Sequence, residues 1–132
     1  MYPSIIHKPK VEIDPDILAL TKEILSDESQ VIVHCIITAP WYSEIGIRIW
    51  PSTYLFDTAS PHKSELVHFE NITPYPEWKY IPAASTSLFT LFFSGLPDDC
   101  SSFDLIEQIP ESFGFQILGI DRNETDVYYV RF

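Results

Sequence analysis

From Gln30 onward the chain is written in short runs of apolar or alternating residues, cut apart by Pro, Gly, Asp and Asn. Gln30-Val31-Ile32-Val33-His34-Cys35-Ile36-Ile37-Thr38 is β-branched and apolar, the pattern of a central strand covered on both faces. Ala39-Pro40 ends it. Gly46-Ile47-Arg48-Ile49-Trp50 alternates up to Pro51, and Thr53-Tyr54-Leu55-Phe56-Asp57 forms another short run. After a turn at Ala59-Ser60-Pro61-His62, Glu65-Leu66-Val67-His68-Phe69-Glu70 alternates again. Residues 71–85 carry Pro74, Pro76 and Pro82 among Tyr75, Trp78 and Tyr80, and read as a long ordered loop rather than a strand. Four further runs follow: Phe89-Thr90-Leu91-Phe92-Phe93, Ser102-Phe103-Asp104-Leu105-Ile106-Glu107, Gly114-Phe115-Gln116-Ile117-Leu118-Gly119-Ile120, and Thr125-Asp126-Val127-Tyr128-Tyr129-Val130-Arg131-Phe132.

Residues 1–16 hold three prolines and alternate weakly, as an extended lead-in; residues 17–132 read as one domain. Within them, 17–25 has two readings. Asp14-Pro15 suits a helix cap followed by a first-turn proline, with Ile17, Leu20, Ile24 and Leu25 near a helical stripe. Leu18, Leu20 and Ile24 equally keep a period-two face, and the β context favours a strand. Eight or nine strands, spaced by about 8–12 residues, predict an all-β, Ig-like antiparallel β-sandwich.

Composition narrows the functions open to such a fold. Phe, Tyr and Trp number nine, seven and three, which suits pleated strands, and eleven prolines exclude a helical bundle. The net charge of −11 repels phosphate backbones and anionic membranes, so nucleic acid is not an expected partner. No run approaches the length of a membrane span, and Met1-Tyr2-Pro3-Ser4 opens without a secretory signal pattern.

One series of residues has a family look. Gly46-Ile47-Arg48-Ile49, Ser52-Thr53-Tyr54-Leu55, Lys63-Ser64-Glu65-Leu66, Trp78, the Phe89 run through Leu96-Pro97, the Ser102 run and Gly119-Ile120-Asp121 follow in order. Together they resemble uncharacterised bacterial Ig-like β-sandwich domains, found alone or at the N-terminal side of thioredoxin-like envelope proteins. The resemblance spans roughly residues 17–132. It implies a sandwich, a strand at 17–25 and the cell envelope, and it implies no activity. The chain has no Cys-x-x-Cys, so redox chemistry does not carry over.

Candidate chemistry is sparse. Cys35 and Cys100 allow either an inter-sheet disulfide or two free thiols, and the loop position of Cys100 favours thiols. His62 and His68, with Glu65 and Glu70, make the nearest approach to a zinc set. Their spacing is loose, and His68 is expected to share a strand face with Leu66 and Glu70. Asp104 and Glu107 are three apart in a strand and so point to opposite faces, as structural carboxylates rather than an acid–base pair. His34 reads as a sheet-face residue with a hydrogen-bonded ring. The aromatics Trp41, Tyr42, Trp50, Tyr75, Trp78 and Tyr80 lie in loops or at strand ends. They either cap the core or form a binding surface. The resulting expectation is a non-catalytic domain without metal or cofactor that contacts another protein or itself. The alternatives are a carbohydrate- or small-ligand-binding module on the same aromatics, and a metal-dependent hydrolase.

Overall fold

The computed structural model of the chain describes residues 29–110 and 114–132. The expected lead-in over 1–16 and the segment 17–25 lie outside the described residues. Nine strands are found among them: β1 (Gln30–Thr38), β2 (Ile45–Ile47), β3 (Thr53–Asp57), β4 (Lys63–Glu70), β5 (Lys79–Ile81), β6 (Thr86–Ser94), β7 (Ser102–Glu107), β8 (Gln116–Asp121) and β9 (Val127–Arg131). The fold is all-β, as the alternating runs predict.

Seven strands form one sheet in the order β8-β7-β3-β4-β6-β1-β9, and β2 and β5 form a second, small sheet. The expected purely antiparallel arrangement is corrected at one pair. β9 runs parallel to β1, from Ile32 opposite Val127 to Ile36 opposite Arg131, so the large sheet is mixed. A second correction is β5, which falls inside the stretch expected to be loop. Its Ile81 is buried in the core, and its three residues pair with β2 despite the flanking prolines.

The large sheet is strongly curled. Laid flat, seven strands would hold β8 and β9 roughly 29 Å apart. The connection 122–126 that joins them spans at most about 22 Å. The rings of Phe103 on β7 and Tyr128 on β9 meet edge to face at 4.9 Å, although these strands stand far apart in the sheet order. β4 helps make the bend: Lys63, Ser64 and Glu65 pair with β3, whereas Leu66, His68, Phe69 and Glu70 pair with β6. A bulge separates Leu66 from His68. A bulge of this kind bends its strand and increases the local twist.

The concave side holds the core. Val31, Val33 and Cys35 face Phe93, Leu91 and Phe89 across the β1–β6 ladder, and all six are fully buried. Leu55 faces Leu105 across β3–β7, also fully buried. Ile47, Ile49 and Ile81 join the same core from the small sheet and its continuation. Period two thus delivers one face of each strand to a common interior.

The β7–β8 ladder carries a bulge as well, where Gly119 takes a left-handed φ of 68°. Its N–H donates to Asp104 Oδ1 at 2.8 Å. The backbone donor that the bulge leaves out of the ladder is thereby satisfied, the structural role expected of Asp104.

Candidate functional site

The small sheet positions an aromatic cluster. Beyond β2, Ile49 continues as a parallel bridge with Pro74. Ile49 N–H donates to the Thr73 carbonyl, and Tyr75 N–H to the Ile49 carbonyl, each at 2.8 Å. Ile47 and Ile49 enter the core, so alternation turns Arg48 and Trp50 the other way. Trp50 stacks on Tyr75 with ring centroids 3.8 Å apart. The Arg48 guanidinium lies 3.8 Å from the Trp78 ring centroid, 4.7 Å from Tyr75 and 5.7 Å from Trp50. Its Nη1 also donates to the Pro76 carbonyl at 3.1 Å. Three rings therefore share one cation, an attraction between the charge and the negative faces of the rings.

Gly46 makes room for this packing. A Cβ there would stand 3.0 Å from Cε3 of Trp78 and 3.4 Å from Cε1 of Tyr80, its cross-strand partner. Tyr80 thereby extends the cluster. Trp78 and Tyr80 remain 47% and 60% exposed.

Of the six aromatics singled out in the sequence, the fold brings together Trp50, Tyr75, Trp78 and Tyr80 and leaves two apart. Trp41 and Tyr42 sit on the turn after β1, where the Pro40 carbonyl accepts from Ser43 and Ala84 N–H. They pack edge to face on one another at 5.5 Å, and Trp41 is 82% exposed, so neither caps the core.

Beneath the cluster lies Glu107, which is buried. Oε2 accepts from the Trp50 N–H at 3.0 Å and from the Thr53 hydroxyl at 3.4 Å, and Oε1 accepts from the Phe115 N–H at 3.3 Å. Burial pushes its carboxyl above the ordinary range, against the lowering effect of these bonds and of the Arg48 charge. Glu107 fastens Trp50 to the segment that leads into β8. Gly114 allows the close approach, since a Cβ there would stand 2.6 Å from the Glu107 carbonyl oxygen.

Two hollows border the Trp50–Tyr75 stack. One, of about 200 Å³, is lined by Arg48, Trp50, Trp78 and Glu107, among others. The other, of about 190 Å³, is a notch between Leu66 and Val67 of β4 and the bridge at Ile49 and Pro74, with Tyr75 as one wall.

Arg48 and Glu107 escape a reading based on exposed aromatics. The signals were present: Arg48 alternates with Ile47 and Ile49 next to Trp50, and Glu107 has the same parity as Phe103 and Leu105. That parity places Glu107 on the inward face, so it is bonded to loops and buried rather than solvated.

The remaining titratable groups are dispersed. The β4 bulge corrects the expected shared face of Leu66 and His68: Leu66 packs against the core, while His68 stands opposite Phe92 on the outer side. His68 lies 3.7 Å from Glu70, whereas His62 contacts the Ser64 hydroxyl at 3.0 Å. Among the described residues, no three His, Cys, Asp or Glu side chains gather as a metal site. Asp57, Ser60, His62 and Ser64 are linked, but the fully buried Ser64 hydroxyl donates to the Gly95 carbonyl at 3.0 Å and has no open approach as a nucleophile. The Ser60 hydroxyl and Ala59 N–H hold the Asp57 carboxyl below its ordinary value. His34 bonds Thr90 at 2.8 Å and stacks on Tyr129, as a sheet-face residue. Cys35 and Cys100 are free and buried, and burial pushes the Cys35 thiol up to about 12.

Compared with known proteins, the chain matches no family model, no curated sequence and no solved structure. Among the described residues, no helix is long and apolar enough to cross a membrane.

Proposed function

We propose that this chain is a non-catalytic, Ig-like binding domain that contacts another protein through the aromatic cluster on its small sheet. Strand order supports the fold part of this reading. β1, β6 and β4 form one run and β3, β7 and β8 another, with β4 passing between them. Apart from the parallel edge strand β9, this order is compatible with an Ig-like sandwich whose two halves stay joined through β4. The resemblance to bacterial Ig-like envelope domains agrees with it.

The single observation that carries the binding role is the convergence of Trp50, Tyr75 and Trp78 on Arg48, with Trp78 left half-exposed. Trp, Tyr and Arg are the residues that dominate binding energy at protein interfaces. Rings already held by a guanidinium lose little freedom on binding, which favours affinity. A carbohydrate reading draws less support. Arg48 already occupies ring faces that a sugar would need, and the hollow beside Trp50 is smaller than the roughly 300–1,000 Å³ of usual ligand sites.

The test is affinity capture from the source cells with the intact chain, beside Trp78→Ser and Trp41→Ser variants of unchanged circular dichroism. The reading expects partners that Trp78→Ser loses and Trp41→Ser keeps. Partners retained equally by both variants would overturn it.

A further inference from the structure

The notch on the far side of the Trp50–Tyr75 stack is mainly apolar and rigidly floored, and acidic residues neighbour its lining in sequence. Ile49, Pro51, Leu66, Val67, Phe69 and Pro74 line it, with Tyr75 as a wall and His68 as its one polar lining residue. Its floor is pinned by the two 2.8 Å bonds that Ile49 makes to Thr73 and Tyr75. Val67 sits at the β4 bulge, is 52% exposed, and leaves an aliphatic side chain open at the rim. Preformed apolar concavities of this kind take single anchor side chains from a partner.

The charge around the notch selects the partner. In sequence, exposed Glu65 and Glu70 flank the lining residues of β4, with Glu70 3.7 Å from the lining residue His68, and exposed Glu77 stands two residues after Tyr75. Arg48 touches Tyr75 but is not part of the lining. The whole chain carries −11, so its field also favours a cationic partner and opposes a second copy of itself.

We infer that the notch docks an extended basic peptide segment, seating an aliphatic side chain between Val67 and Pro74 while flanking Lys or Arg residues meet Glu65, Glu70 and Glu77. This rests on the aromatic-surface reading, because Tyr75 is shared by the cluster and the notch. It adds the chemistry of the partner.

The test uses three blocked synthetic heptapeptides: alternating Lys and Leu, the same with Ser for Leu, and the same with Glu for Lys. Binding to the full chain is followed by tryptophan emission and by NMR shifts at Leu66, Val67 and Tyr75. The Lys–Leu peptide is expected to bind at least about tenfold more tightly than either control, a difference of ~1.4 kcal/mol. Val67→Arg, at an exposed position, is expected to erase that preference without unfolding the chain. Equal binding of the Lys–Leu and Lys–Ser peptides would mean charge attraction alone and would overturn the inference. So would shifts located away from the notch, or a dimer in sedimentation that Val67→Arg dissociates, which would give the notch to a second copy. Should Trp78→Ser abolish partner capture while Val67→Arg changes neither capture nor peptide binding, the notch fails and the aromatic surface stands.

Discussion

The guanidinium of Arg48 lies 3.8 Å from the centre of the Trp78 ring, and this contact organises the half-exposed aromatic cluster on the small sheet. It joins the last residues of one short strand segment to the approach of another. Arg48→Ala is expected to lower unfolding free energy by about 1 kcal/mol, the scale of a partly exposed cation–π contact. It should also shift tryptophan emission to longer wavelength as Trp78 loosens. Arg48→Lys should recover only part of this, because an ammonium lacks the planar face that stacks on a ring. Urea unfolding followed by fluorescence measures both effects, and equal behaviour of the Ala and Lys variants would contradict the assignment.

Two glycines are expected to respond differently to alanine. At Gly46 the added Cβ meets the edge of the half-exposed Trp78 ring at 3.0 Å, which has room to move. Gly46→Ala should therefore shift the ring signals in NMR while changing stability by less than about 1 kcal/mol. At Gly114 the Cβ meets the Glu107 carbonyl oxygen at 2.6 Å, in a paired segment of backbone. Gly114→Ala should cost about 1–3 kcal/mol, the range of overpacked sites.

Glu107→Ala leaves the Trp50 and Phe115 N–H groups without their acceptor. A loss of about 2–4 kcal/mol is expected in urea unfolding, the scale of two unsatisfied donors. The pH dependence follows from the direction of its shift. Above the ordinary value of 4.5, and up to the raised folded value, the folded state retains a proton that the unfolded chain has released. Stability from this group therefore falls as pH rises through that window. Asp57 has the opposite sign: its contribution is present above the ordinary 3.8 and is lost as pH falls through the lower folded value. Comparing wild type with Glu107→Gln between about pH 4 and pH 8 isolates the first effect. Parallel curves would contradict it.

Both thiols should be silent in the native protein. Cys35 is fully buried with its thiol pushed up to about 12, and Cys100 is nearly so. An aromatic disulfide reagent at mildly alkaline pH is expected to find no thiol in the folded chain and two in denaturant. Rapid labelling of one thiol without denaturant would show that its pocket opens.

Ala84 holds a left-handed φ of 62° beside Pro40. A residue with a Cβ is strained there, so Ala84→Gly is expected to stabilise by up to about 1 kcal/mol, offset in part by the flexibility that glycine adds to the unfolded chain. Thermal unfolding measures the sign.

Much of the strand pattern is local and was legible. Val31, Val33 and Cys35, or Phe89, Leu91 and Phe93, declare an inward face by spacing alone, because successive side chains in a strand must alternate. The same parity explains why Asp104 and Glu107 separate to opposite faces. β5 was hidden because three residues between prolines carry too little period to read, and its pairing with β2 supplies the missing evidence. The bulge at Val67 was equally hidden, and it reversed the expected relation of Leu66 to His68.

By itself the sequence determined that the chain is β-rich, acidic and punctuated, and which side of most strands seeks the core; these follow from residue type and a period of two. Only the tertiary structure decided that β9 lies parallel to β1, and that the sheet curls until its two edge strands are joined by a short connection. It alone decided that Arg48 unites Trp50, Tyr75 and Trp78 while Trp41 stands apart. The reason is physical: pairing partners such as His34 and Tyr129 are far apart in the chain, and local alternation carries no information about which distant strand will satisfy a given edge.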